Sequence, residues 1–398
     1  MRTRTAAMAA LATAAVLASA PAALAAPAIG HRHAAAGAIR PAFAGSGAEP
    51  SLSLSVNPGG KPEVASVGKS GSLWYTYHSG GTWHRVEVAK SGTASGPSLY
   101  AGPGSYAIIA VQGPSHSLLF FSLSGGRWHR SQVAGKNTAY SAPDLVSTGR
   151  GPAIAVQGPH NSLVYYWVHG SHWLHTTVGA NGTAFSAPSL VVRGPNQSVH
   201  GHPSSEIDIA VQNAHNSLSY YNSLSNGHWQ NDVIGGPGTT FSAPTLTVVG
   251  GTTFQGDAVV FAEGAHHSLW GYAWSPGLGF VAKELEGSNW CYSAPSLVQG
   301  DSATEFPVAF QGSGHSLFIV FEANPSTDTW QNEVVAATSS AYSAPAIFVR
   351  YTSPPGEVDI VTQGADNSMV YYHAPRPASG APSFTGQPIA GAGTTFGG

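Results

Sequence analysis

Charge is scarce in this 398-residue chain. Lys, Arg, Asp and Glu together make up 9% of it, and the formal net charge is -3. That excludes a basic field for nucleic acid and equally an acidic tail. Cysteine occurs once, at Cys291, so no intramolecular disulfide can form. After residue 30 no stretch keeps a helical period of apolar residues, and none is apolar for long enough to span a bilayer. The acids are few and scattered, with no pair set up for glycoside hydrolysis. There is no Asp-box, no Gly-x-Ser-x-Gly and no His-x-x-x-His with a third ligand, so neither a metal centre nor another cofactor is expected. What is plentiful is Gly (49) and Pro (28), which favours many short strands joined by tight turns.

The first residues read as a secretory signal peptide. Arg2 and Arg4 give a positive start, Ala6 to Leu24 an apolar run, and Ala23-Leu24-Ala25 a small-x-small cleavage site. Residues 1–25 are therefore expected to be a signal and 26–47 an Ala/Gly-rich linker, with the folded domain over 48–398. The mature protein is expected outside the cell. His31 and His33 fall in the linker, where side chains are ordinarily solvated and hold no metal.

The domain repeats. Pro, one variable residue, then Leu or Ile recurs at Pro50-Ser51-Leu52, Pro97-Ser98-Leu99, Pro143-Asp144-Leu145, Pro188-Ser189-Leu190, Pro244-Thr245-Leu246, Pro295-Ser296-Leu297 and Pro345-Ala346-Ile347. Ser followed by Leu or Met recurs seven times, at Ser72, Ser117, Ser162, Ser217, Ser268, Ser316 and Ser368. Five residues before that Ser stands Gln112, Gln157, Gln212, Gln311 or Gln363, with Val67 and Glu263 as exceptions. Some twelve residues after it stands Trp83, Trp128, Trp173, Trp229 or Phe280, with Trp330 and Phe384 a little displaced. Each copy carries four strand signals separated by turn clusters such as Gly158-Pro159-His160-Asn161. Four antiparallel strands per repeat, arranged radially, predict an all-β, seven-bladed propeller. Its ring is expected to be closed by the N-terminal strand, because the seventh copy ends at Thr395-Phe396 without a Pro-x-Leu strand while Pro50-Ser51-Leu52 stands alone. Closure removes two edges that an open stack would leave unpaired. Cys291 aligns with Ala139, Ala184, Thr240, Ala341 and Thr395, which predicts a small core residue.

The pattern Ser-x-Pro-x-Leu, a hydrophobic strand, Gly-x-x-Asn-Ser-Leu-x-Tyr-Tyr, then Trp and Gly-x-x-Thr resembles bacterial fucose-binding propeller lectins of the PLL type and their tectonin-like relatives. The resemblance spans residues 48 to 398, with Asp366-Asn367-Ser368-Met369 as the nearest match to that family's central motif. It implies a non-enzymatic sugar-binding protein, often oligomeric, with sites repeated near blade junctions. The Trp expected after the motif's Leu is present only as Trp74 and Trp270, and the motif's Asp is replaced by His160, His215 and His266.

Sugars are held by rings on their C–H faces and by amides bridging their hydroxyls. The repeat offers both, and the candidate ligand residues are Gln157, Asn161, Tyr165 and Trp173 in the third copy and Gln212, Asn216, Tyr220 and Trp229 in the fourth, with Trp83, Trp128 and Asn367 elsewhere. Trp173 is expected to stack on the sugar. The same residues admit structural roles: the Trp between neighbouring blades, the Gln at a turn, and the His/Asn exchange at His116, Asn161, Asn216, His267, His315 and Asn367 as a left-handed turn residue. A propeller that binds protein, and a propeller hydrolase or lyase, are the competing functional classes.

Overall fold

The computed structural model describes residues 51–396 except 149, 193–197, 200, 201, 225, 251–254, 276, 298–306, 325–328, 351–355 and 376–381. The expected signal, the linker and Pro50 lie outside these residues.

Each repeat folds into one antiparallel sheet whose strands follow one another in chain order. The third blade is typical: an inner strand Asp144–Thr148, a second strand Gly151–Gln157, a third strand Leu163–His169 and an outer strand His172–Gly179. Its second strand is sandwiched on both faces, with Ala153, Ile154, Ala155 and Val156 all at 0% exposure, as the unbroken apolar run requires. The turn that follows needs two left-handed residues, His160 (φ 56°) and Asn161 (φ 58°). Short polar side chains tolerate that conformation, and this explains the His/Asn exchange. Gly158 before the turn is a matter of space: a Cβ there would stand 2.5 Å from Ser162 Oγ and 2.6 Å from Val164 Cγ2.

Seven such sheets form the ring. The sixth has three strands, its inner edge marked by a single bridge between Ser296 and Ala309. In the fourth, the second strand is lengthened to His202–Asn213, and Ser198–Val199 folds back on it. Among the described residues no helix is long and apolar enough to cross a membrane.

The inner strands line a central channel of about 1130 Å³, and side chains cap their free edges. Leu99 N donates to Ser53 Oγ, Leu145 N to Ser98 Oγ, Leu190 N to Asp144 Oδ2, Leu246 N to Ser189 Oγ, Leu297 N to Thr245 Oγ1 and Ile347 N to Ser296 Oγ, at 2.7–3.2 Å. Each bond ties one blade to the next. At the seventh junction the acceptor of such a cap would be the side chain of Ala346, which has no hydroxyl. The ring also corrects one register. Ser53 pairs with Ala65 as Ser98 pairs with Ala110, so Ser53-Leu54, not Ser51-Leu52, is the first copy's equivalent of Ser98-Leu99.

The seam between blades 7 and 1 closes without strand exchange. The N-terminal strand Leu52–Val56 is the inner strand of blade 1 and lies between Ser98–Ala101 of blade 2 and Ala346–Arg350 of blade 7. From the other end of the chain, Phe396 N donates to Val67 O at 2.9 Å and Arg85 Nη2 donates to Thr394 O at 3.0 Å. The Arg85 guanidinium also lies 4.0 Å from the Trp74 ring centroid.

One member of the inner ring is a carboxyl. Burial pushes Asp144 up to about 6, against hydrogen bonds from Leu190 N, Ser98 Oγ and Leu145 N. An unfolded Asp titrates near 3.9, so the folded state favours the protonated acid. Its contribution is fully present below about pH 4 and is lost as pH rises through about 6. Glu63 acts in the same direction: burial raises it, although Tyr75 and Asn57 donate to it. Asp144→Ser copies the residue at four other positions of the ring. It is expected to raise the melting temperature at pH 7.5 by about 2–4 °C and to flatten the fall in stability between about pH 4 and 7. An unchanged pH profile by calorimetry would remove Asp144 as its source.

Candidate functional site

The outer-strand tryptophans act as wedges. Trp173 meets Phe120 of the preceding blade edge-to-face at 5.3 Å. Trp128 meets Tyr75 at 5.1 Å, Trp229 meets Tyr165 at 5.6 Å, and Trp83 meets Tyr371 across the seam at 5.0 Å. Phe280 on Tyr220 and Trp330 on Phe261 continue the series, and Phe384 packs on the core shared by the sixth and seventh blades. All four tryptophans named as candidates are half-buried. Tyr165 is half-buried between Trp167 and Trp229, and Tyr220 is wholly buried.

The amides stand elsewhere. Asn161 lies in the turn before the third strand begins at Leu163, whereas Trp173 pairs with Val168, five residues further on. That is about 16 Å along the strand. The same holds for Asn216 against Trp229, which pairs with Ser223. The structure thus places the candidate amides and the candidate tryptophans at opposite ends of each blade, and no single sugar touches both.

At the amide end a second ring series comes into view. The linker leaving each blade carries an aromatic residue just before Ser-Ala-Pro: Tyr140, Phe185, Phe241, Tyr292 and Tyr342, with Phe396 at the C-terminus and Ala94 in the first copy. Each of these residues donates its N–H to the carbonyl of the next blade's Gln position: Tyr140 to Gln157, Phe185 to Gln212, Phe241 to Glu263, Tyr292 to Gln311, Tyr342 to Gln363, Phe396 to Val67 and Ala94 to Gln112, at 2.8–2.9 Å. Each ring is half-buried. The Asn161 carbonyl accepts Thr183 N and Ala184 N, and Asn216 and Asn367 repeat the arrangement.

The buried glutamines lock this corner. Gln157 Nε2 donates to Asn161 Oδ1 at 2.7 Å. Gln212 Nε2 donates to Asn216 Oδ1 at 3.0 Å and to Thr240 O at 2.8 Å. Gln363 Nε2 donates to Asn367 Oδ1. In the second and sixth blades the acceptor is instead a ring nitrogen: Gln112 to His116 Nδ1 and Gln311 to His315 Nδ1. In the fifth, Glu263 faces His267 Nδ1 at 2.8 Å.

Turn residue and linker ring change together. His116, His267 and His315 stack on Tyr140, Tyr292 and Tyr342 with ring centroids 4.1–4.3 Å apart. Asn161, Asn216 and Asn367 go with Phe185, Phe241 and Phe396, and Gly71 goes with Ala94. An imidazole therefore covers one face of each tyrosine. In the copies with phenylalanine the turn residue is instead the shorter Asn. Recurrence before Ser-Ala-Pro and this paired exchange are the signals that would have found the linker rings in the sequence.

Cys291 is wholly buried, as its alignment predicts, with Sγ donating to Ser293 O at 3.3 Å. Burial holds its thiol well above the usual range.

No family model and no curated protein matches the chain. Solved structures do. The BP39L lectin from Burkholderia pseudomallei has a TM-score of 0.72 at 15% identity over 86% of this chain and all of that one. AofleA from Arthrobotrys oligospora has a TM-score of 0.51 at 13% identity, covering 87% and 89%. The Aleuria aurantia lectin, described as a six-bladed propeller with a novel mode of fucose recognition, has a TM-score of 0.52 at 15% identity, covering 74% and 97%. The chain shares the propeller fold of these lectins.

Proposed function

We propose that this chain is an exported, non-enzymatic carbohydrate-binding propeller with several weak sites repeated around one face. The observation that carries this is the recurring corner, or notch, at the blade junctions, where a half-buried linker ring directly follows a residue bonded to the carbonyl of an asparagine on a rigid turn. Aromatic C–H stacking plus amide hydrogen bonds is the chemistry of sugar recognition, and the lectin folds above lend it support. The notches with an asparagine and a phenylalanine are the open ones: Asn161 with Phe185, Asn216 with Phe241, and Asn367 with Phe396. The tryptophans hold the blades together instead.

One sugar in a shallow notch makes few contacts, so each site is expected to bind at about 0.1–1 mM. Several sites on a rigid ring raise avidity for a glycosylated surface roughly 10²–10⁴-fold. Repetition of near-equivalent notches, in place of one unique polar cluster, favours a binder over an enzyme. The test is a glycan array with the secreted protein in the presence of a chelator, alongside the double variant Phe185→Ala, Phe241→Ala. Alanine already occupies this position at Ala94, so the variant is expected to keep its fold. Loss of array signal with a melting temperature within about 3 °C of the parent supports the notches. A blank array for the parent protein removes the reading.

A further inference from the structure

The three open notches differ in one neighbour. In the third and fourth blades the residue before the notch asparagine is an exposed histidine, His160 beside Asn161 and His215 beside Asn216. Both are left-handed turn residues, at φ 56° and 59°, so both side chains leave the turn at the same point and from the same backbone conformation. In the seventh blade that turn position is Asp366, also exposed. Ser368 N donates to its carboxylate at 3.1 Å, and Ser368 holds its pKa below the usual range.

We propose that the notches of blades 3 and 4 take sugars bearing a carboxylate or sulfate, and take them best in mildly acidic medium, whereas the notch of blade 7 turns such sugars away. This rests on the sugar-binding reading of the notches and adds the ligand class. The reasoning is electrostatic. An imidazole gains its charge near neutrality, and a rim charge beside a shallow site attracts an anion and is screened by salt.

Few other charges face these imidazoles. The linker from blade 2, which packs on blade 3, carries Lys136. Those leaving blades 3 and 4, residues 180–188 and 236–244, carry no charged side chain. Their own sheets carry Asp144 on the inner strand of blade 3, Glu206 and Asp208 on the second strand of blade 4, and Asp232 on the outer strand Trp229–Gly235, where it pairs with Tyr220 and accepts from Gln230 Nε2. In the neighbouring blade 5, His266 is exposed at the same turn position, but there His267 covers Tyr292 and faces Glu263. The Nδ1 atoms of His116 and His315 accept from Gln112 and Gln311, which assigns those rings to the lock.

The experiment is the same array, carrying neutral, uronate, sialylated and sulfated glycans, read at pH 5.5 and 7.5 with and without added salt. The parent is compared with His160→Ser, His215→Ser and, separately, with Asp366→His. Serine already fills this turn position at Ser70 and Ser115. For the parent, acidic glycans are expected to gain about tenfold in apparent affinity at pH 5.5, and salt at about 0.5 M to cancel the gain. The serine pair is expected to lose that gain and keep its neutral binding, and Asp366→His to enlarge it. Acidic glycans that bind equally at both pH values, or a gain that survives in the serine pair, would overturn the proposal while neutral binding keeps the notch reading intact. Binding to phosphatidylserine vesicles at pH 5.5 with no acidic glycan bound would overturn it too. A blank array at both pH values removes both readings together.

Discussion

Deleting residues 48–56 is expected to lower the melting temperature by more than about 15 °C or to abolish a cooperative transition. Deleting residues 27–44 is expected to change it by less than about 2 °C. The first deletion removes the inner strand Leu52–Val56, with Leu52, Leu54 and Val56 at 2%, 3% and 7% exposure. Removing buried aliphatic side chains costs roughly 2–5 kcal/mol each. It also uncovers the edge of Pro62–Gly68, and it strips Leu99 N and Ala101 N of Ser53 Oγ and Ser55 Oγ. Such unpaired edges invite aggregation. The second deletion takes away a stretch with no trace of the repeat. Ala346→Ser, measured alongside, is expected to add the seventh cap of the inner ring and raise the melting temperature by about 2–4 °C, for a hydrogen bond worth about 1 kcal/mol. Equal melting temperatures for the two truncations would refute closure through the N-terminal strand.

Trp173→Ala is expected to cost about 2–4 kcal/mol, or about 5–10 °C in melting temperature, and to leave glycan affinity at 20 °C within about twofold. From its sequence position Trp173 reads as the ring that stacks on a sugar. The structure turns it toward Phe120 of the neighbouring blade, edge-to-face at 5.3 Å, among the core of blades 2 and 3. Such a contact adds about 0.5–1.5 kcal/mol beyond the area it buries. It lies at the far end of the blade from Asn161. Phe185→Ala should show the opposite pair of effects, a small change in stability and a large one in binding. Should Trp173→Ala lose binding while melting like the parent, the tryptophans and not the linker rings would be the sugar platforms.

The sequence by itself determined the number of blades, the four strands of most of them, the left-handed turn where His and Asn exchange, and the core place of Cys291. These are local or periodic properties. Alternation along a strand, a positive φ and a small residue at a fixed offset leave the same mark in every copy. It also flagged the glutamines and asparagines that meet at one corner of the blades. The tertiary structure decided what local pattern does not encode. Ser51-Leu52 matches the Pro-x-Leu pattern as well as any copy, but only strand pairing reveals that Ser53-Leu54 occupies the place in the ring. Trp173 and Phe185 are both recurrent rings near a blade junction. Trp173 is used up as a wedge because the third strand of the preceding blade offers it Phe120, whereas Phe185 follows a residue bonded to the Asn161 turn of its own blade and donates its N–H to Gln212 of the next. Exposure of a ring is a property of two blades packed together, and one repeat read alone contains half of that information.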